Sequence, residues 1–259
     1  MKKTVTYIRY LFDYLMNGNF GLIIPSVKYV INKSSHSKDR ITKTKIGVFF
    51  CRKNTNDFQF ANYYYEWGVR KYVLNQKNKF TVFIDGGAGV GDYSILLSKF
   101  NIRCIAFEPM LNNFKVLQKN LELNDIKSKV EALPLGLGDK NFLAQFIFNP
   151  VNTGASHISE KPIIEDSIVC QADIRTFDSL LSSLKIEKTE KILFKLDLEG
   201  MELEAILGSY NFISSYPYLT FLIETKHSGE ALVKEALTKI ASFQFGKVDE
   251  FNIFATKNK

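Results

Sequence analysis

Phe83-Ile84-Asp85-Gly86-Gly87-Ala88-Gly89-Val90-Gly91-Asp92 joins an apolar run to a helical pattern through a glycine-rich loop. Upstream, Phe80 to Asp85 reads as a short apolar strand buried on both faces, and downstream Asp92 to Phe100 carries a helical pattern. The glycines between them let the backbone turn sharply and approach a ligand at the helix N-terminus. A tight turn needs the same residues, so the loop alone does not settle the matter.

Working outward, the same alternation continues. Arg103 to Glu108 reads as a second strand, Leu111 to Asn124 as a helix with apolar spacing at Phe114, Leu117 and Leu121, and Val130 to Leu137 as a third strand. The pattern then breaks, and Leu143 to Phe148 with Ser167 to Gln171 reads as an inserted hairpin around a polar loop, Asn149 to Ser159. A helix near Phe177 to Leu184, a strand at Ile192 to Leu198, a helix at Glu202 to Leu207 and a strand at Leu219 to Glu224 follow. A helix from Glu230 to Ile240 and a last pair, Phe243 to Val248 and Phe251 to Thr256, close the sheet. Repeated βαβ units of this kind predict an α/β, Rossmann-like fold with a mostly parallel seven-stranded sheet flanked by helices. Residues 1–60 are read as a basic, aromatic helical extension and 61–259 as the catalytic domain.

The loop's spacing selects a ligand class. It reads Gly-x-Gly-x-Gly from Gly87, not the dinucleotide spacing Gly-x-Gly-x-x-Gly, and Asp85 stands at the strand end just before it. An anion there would repel a pyrophosphate and attract the ammonium and sulfonium charges of S-adenosylmethionine. Gly86, Gly87, Gly89, Gly91 and Asp92 complete the expected cofactor loop. Glu108 ends the second strand, where an acid can accept hydrogen bonds from two ribose hydroxyls, and Asp139, after Leu135-Gly136-Leu137-Gly138, is a candidate for the adenine amino group.

Central parallel strands are normally apolar on both faces, and Lys195-Leu196-Asp197-Leu198-Glu199-Gly200 breaks that rule. With a period of two, Lys195, Asp197 and Glu199 are expected on one side, at the carboxyl end of the strand where ligands sit in open α/β sheets. Asp197 and Glu199 are therefore candidates to orient or deprotonate a methyl acceptor. A mutually neutralising network that only holds the strand end is the competing reading. Asp197, Glu199 and Glu224 could converge as oxygen ligands, but no tight metal site is expected.

Together these residues resemble an FkbM-type methyltransferase. The resemblance rests on Phe83 to Tyr93, on Phe107-Glu108-Pro109 with Asn120 and Asn124 following, on Lys195 to Glu202, and on Ile223-Glu224, and it covers about residues 80–257. That family's first motif usually reads Asp-x-Gly-Ala-Asn-x-Gly, so Gly89 replaces the common Asn. The resemblance implies a class I methyltransferase fold, S-adenosylmethionine as cofactor and O-methylation of sugars or natural-product hydroxyls. It also marks Asn152-Thr153-Gly154-Ala155-Ser156-His157 as an acceptor-side lid, with His157 a further candidate base.

Composition narrows the rivals. The formal charge is +7, yet residues 1–45 hold nine Lys/Arg against two Asp/Glu, leaving 25 of each sign elsewhere. The body is thus neutral, which argues against nucleic acid as a partner and for a small-molecule or glycan acceptor. An NAD-dependent oxidoreductase, a nucleic-acid methyltransferase and a non-catalytic scaffold remain as alternatives. Cys51, Cys104 and Cys170 form neither a disulfide framework nor a metal knuckle, so a cytoplasmic setting is expected. Arg9 and Asp13 interrupt the apolar stretch from Val5 to Met16 before it reaches secretory or transmembrane length. That arm is expected to pack on the body or a sister subunit, with the inner face of a membrane as the alternative.

Overall fold

The computed structural model describes residues 2–32, 35–148, 157–158 and 168–258. The chain opens with helices α1 (Lys2–Met16) and α2 (Ile23–Asn32), then a hairpin of β1 (Arg40–Lys43) and β2 (Val48–Cys51), and helices α3 (Asp57–Phe60) and α4 (Trp67–Gln76). The expected extension is therefore not wholly helical.

From there the βαβ pattern takes over. Strand β3 (Val82–Gly86), helix α5 (Asp92–Leu97), β4 (Arg103–Phe107), α6 (Leu111–Leu123) and β5 (Val130–Leu133) make the first half. After β6 (Leu135–Leu137), β7 (Phe142–Phe148), β8 (His157–Ile158), β9 (Ile168–Arg175) and α7 (Phe177–Leu184), the second half runs β10 (Ile192–Leu196), α8 (Glu202–Leu207), α9 (Tyr210–Ser215), β11 (Leu219–Glu224), α10 (Glu230–Ile240), β12 (Phe243–Lys247) and β13 (Asn252–Lys257).

The seven-stranded sheet has the order β12-β13-β11-β10-β3-β4-β5. Its strands are parallel except β13, which runs antiparallel to both neighbours. This is the Rossmann-like class I methyltransferase architecture that the sequence predicts. The chain leaves β3 toward β4 and β5, then returns to the other side of β3 through β10. The order reverses between β3 and β10, and a crevice for a ligand opens at such a switch point.

Side chains alternate across the sheet. Val82, Ile84, Ile105, Phe107, Ile192, Phe194 and Leu196 point into one core with Phe177 and Phe212. Phe83, Cys104, Ala106, Leu193 and Leu222 point into the other, which is completed by Tyr14, Phe49, Phe58 and Leu117. The N-terminal segment up to α4 thus covers this face together with α5 and α6, and residues before and after position 61 share one core. The aromatic run Tyr63-Tyr64-Tyr65 packs on that same core, as the sequence suggests.

Two elements differ from their sequence reading. The third strand breaks at Pro134, which has no N–H for the ladder; β5 ends at Leu133, and β6 pairs in parallel with β9 in a separate sheet of order β6-β9-β7-β8. The inserted hairpin is present as β7 against β9, antiparallel from Phe142↔Ile174 to Phe148↔Ile168. The charged strand also stops earlier than expected, at Leu196, and Glu199 sits beyond it in a left-handed turn with φ 53°.

Candidate active site

Three loops meet at the carboxyl ends of β3, β4 and β10. The first is the glycine loop. A Cβ on Gly87, whose φ is 78°, would stand 1.9 Å from the Asp197 carbonyl oxygen, so this position admits only glycine. Gly89 also has a positive φ, 55°, but faces open space with no heavy atom within 4 Å of its Cβ direction. The loop therefore presses its Gly87 backbone against the end of β10 and leaves its Gly89 backbone accessible.

The second loop follows β4. Glu108 is buried and accepts the Gly89 amide at 2.8 Å and the Met110 amide at 2.9 Å. Burial pushes its carboxyl up to about 7, while those two amides and Asn113 pull the other way. Between the loops lies a small groove of about 70 Å³ lined by Gly87, Gly89, Glu108, Asn113, Asp197 and Met201, among others.

The third loop follows β10. Lys195 lies beside Asp85 in the parallel register and donates to Asp197 Oδ2 at 2.8 Å. Burial opposes its charge, but Asp197, Asp85 and Glu66 outweigh that and hold the ammonium above its ordinary range. Beyond the strand, Glu202 fixes the turn: one carboxylate oxygen accepts Leu198 N at 2.7 Å and Gly200 N at 3.3 Å, and the other accepts the Ser228 hydroxyl. That ties the turn carrying Glu199 to the segment after β11 that carries His227, whose Nε2 lies 3.5 Å from Glu199 Oε2.

Asp85, Lys195 and Glu224 share the parity of Phe83, Leu193 and Leu222, so they lie on the sheet face covered by the N-terminal segment. That segment closes over them with Glu66, held in the left-handed region at φ 44°, whose Oε2 accepts the Tyr93 hydroxyl at 3.0 Å. The outcome is an acidic cluster of Glu66, Asp197, Glu199 and Glu224, with Lys195 beside Glu66 and Asp197 and Lys226 near Glu199 and Glu224. Burial and the neighbouring Asp197 push Glu66 and Glu199 to about 7 and Glu224 to about 8. Glu199, Glu224 and His227 each offer a donor atom within 4.8 Å of the others. The convergence considered from sequence was Asp197, Glu199 and Glu224; in the structure Lys195 holds Asp197, and His227 takes its place.

The expected cofactor residues divide. Gly87, Gly89 and Glu108 line the groove. Asp85 does not: it is buried beneath the loop, with Oδ2 accepting the Ser94 hydroxyl at 2.7 Å and burial pushing its carboxyl to about 6. Its Oδ1 has no hydrogen-bond partner among the described residues, so one acceptor at the strand end is left for a donor. Gly86 and Gly91 shape the turn, and a Cβ on Gly91 would strike Leu117. Asp92 is a correction: its Oδ2 is bound by the fully buried Arg70, so it anchors α5 to the N-terminal segment instead of facing the groove. Asp139 is a second correction, exposed and outside the groove: Gly136 and Leu137 of β6 line it, but the turn that follows carries Asp139 past them, against Gly208. Of the candidate bases, Asp197 and Glu199 line the groove. The backbone of His157 pairs with Ile147, its side chain lies outside the described residues, and so does the loop 152–156.

Glu66, Tyr93 and His227 were not among the sequence candidates. Glu66 carries no local signal, since the fold brings it in from 130 positions before Leu196. His227 had one, because it follows the carboxyl end of a central strand.

Among the described residues, no helix is long and apolar enough to cross a membrane. The family model of the Vibrio cholerae RfbT protein matches residues 27–240. The chain is similar to Methyltransferase 1 of Beauveria bassiana, 24% identical over 143 residues, which cover 48% of this chain and 57% of that protein. It is also similar to Methyltransferase sdnD of Sordaria araneosa, 26% identical over 152 residues, which cover 48% of this chain and 59% of that protein. The matches therefore span somewhat more than half the length of these curated relatives. Among solved structures, the O-methyltransferase from Bacillus cereus in complex with SAH superposes with a TM-score of 0.43 at 10% identity, over 75% of this chain and 81% of that one. With one family model covering most of its length, the chain belongs to the Vibrio cholerae RfbT protein family.

Proposed function

We propose that this protein transfers a methyl group from S-adenosylmethionine to a hydroxyl of a glycan or natural-product small molecule. The observation that carries the reading is the groove at the switch point, with Gly87, Gly89 and Glu108 on one wall and Asp197 and Glu199 on the other. The names of the two fungal relatives and the FkbM-type motifs support methyl transfer. The neutral body favours a small or glycan acceptor over a nucleic acid.

The residues present fit the cofactor. The open space beside the Gly89 backbone allows close approach, and Glu108 accepts from ribose hydroxyls. When bound, S-adenosylmethionine supplies an electrophilic methyl group on a positive sulfur with a good leaving group. The acceptor oxygen forms the new C–O bond as the C–S bond breaks, its electron pair stays on sulfur as S-adenosylhomocysteine, and the hydroxyl proton passes to a carboxylate.

Glu199 is that carboxylate in this reading. Its pKa near 7 matches a base that works near neutrality, whereas Asp197 is already committed to Lys195 and orients the acceptor. Incubation with methyl-labelled S-adenosylmethionine and a panel of hydroxylated sugars and sugar nucleotides tests it. Label should enter a sugar and be lost in Glu199→Gln, whereas label that enters only RNA or protein overturns the acceptor class.

A further inference from the structure

Helix α1 is apolar on two opposite sides. Its inner side sets Tyr10 and Tyr14 into the core, with the Tyr14 hydroxyl donating to Phe58 O at 2.8 Å. At 100° per residue, Val5, Ile8, Phe12, Leu15 and Met16 fall on the outer side, and all are exposed, Ile8 by 60% and Phe12 by 56%. Helix α2 repeats the arrangement, with Tyr29 inward and Ile24 and Ile31 outward, exposed by 66% and 77%. Ten of the nineteen large exposed apolar side chains among the described residues lie within these first 31 positions. Between the helices runs an apolar groove of about 410 Å³.

Such a surface in water calls for a partner. The surrounding charge identifies it. Arg9 and Lys28 are exposed on the two helices, and Lys38, Lys43 and Lys45 are exposed on the hairpin that follows, where Asn19 donates to Lys43 O and Arg40 donates to Gly21 O. The entire formal charge of the chain belongs to residues 1–45. A second copy docked face to face would set this positive rim against itself, whereas an anionic lipid surface would take both the apolar stripe and the basic rim.

We propose that α1 and α2 lie in the surface of an anionic lipid bilayer, outer sides down. On its inner side α1 holds the segment that carries Glu66. Asn62 donates to Tyr10 O at 3.2 Å and Tyr63 N to Asp13 Oδ2 at 3.1 Å, and Glu66 follows within one helical turn of these two contacts.

Co-sedimentation of the full chain with vesicles of phosphatidylcholine alone, and of equimolar phosphatidylcholine and phosphatidylglycerol, tests this. Binding should favour the anionic vesicles by about tenfold or more and fall with added salt. The double variant Phe12→Glu/Ile24→Glu changes only exposed side chains; it should keep its circular dichroism spectrum and lose vesicle binding by about tenfold or more. Recovery of the wild type in the supernatant with both vesicles overturns the proposal. So does unchanged binding by the folded double variant, or light scattering that shows a dimer which that variant splits, since a second copy would then own the face.

Discussion

Glu108 holds Gly89: the acid that ends β4 accepts the amide of the loop after β3 at 2.8 Å, so one side chain fixes the mouth of the groove from the neighbouring strand. Glu108→Gln keeps the volume and can still accept, and should weaken S-adenosylmethionine binding by about tenfold. Glu108→Ala leaves the buried Met110 amide and the part-buried Gly89 amide unpaired and should cost on the order of 2 kcal/mol of stability as well. Titration calorimetry and thermal melts separate the two effects.

The two exposed-looking glycines of the loop are not equivalent. Gly87→Ala drives a Cβ into the Asp197 carbonyl, so the loop or β10 must shift, and a loss of about 2 kcal/mol or more is expected with cofactor binding abolished. Gly89→Ala meets no atom and bears only its left-handed backbone, about 1 kcal/mol. Melting curves of the two variants should differ accordingly.

Raised carboxyl pKa values give two pH dependences of opposite sense. Glu199 near 7 and Glu224 near 8 are neutral below those values, so transfer should rise with pH through 7 to 8, close to tenfold per unit on the acid side. Stability runs the other way. Folded Glu108 keeps its proton up to about 7, whereas the unfolded side chain loses it near 4.5, so the folded form binds the extra proton in that window. The Tm of the ligand-free protein should therefore fall as pH rises from 4.5 through 7, and the fall should be shallower in Glu108→Gln.

Arg70 is fully buried between Asp92 on α5 and the Asn62 and Phe60 carbonyls of the N-terminal segment. Arg70→Met strands the Asp92 carboxylate and should cost about 3–5 kcal/mol, read by denaturant unfolding. An unchanged midpoint would mean that the segment is held by its aromatic packing alone.

Much of this was legible from residues 83–108 and 192–202. Apolar runs of strand length, glycines at their ends and acids at the switch point dictate the sheet and its crevice, because such positions are defined by local spacing. Asp92 and Asp139 were misplaced for reasons of tertiary context: Arg70 lies 22 positions from Asp92, and the turn after β6 carries Asp139 out of the groove against Gly208. The strand was expected to run from Ile192 to Leu198 with Glu199 at its carboxyl end, but it ends at Leu196, and Glu202 holds the turn beyond it by accepting the Leu198 and Gly200 amides. The acidic cluster was invisible as a unit, since Glu66, Asp197 and Glu224 meet only when the connections from β3 through β4, β5 and β10 to β11 have folded.

Glu199, Glu224 and His227 stand close enough to share a divalent ion, yet the proposed chemistry needs only a carboxylate base. Transfer should survive EDTA without loss of rate. Inactivation by EDTA with recovery on added magnesium or manganese would reassign these three residues as ligands.

Calorimetric titration of the purified protein with S-adenosylmethionine and S-adenosylhomocysteine, with Glu108→Ala as the control, tests the central claim most directly. Micromolar binding of both ligands by the wild type, lost in the folded variant, is the predicted result; no binding of either by well-folded wild type would contradict the methyltransferase reading.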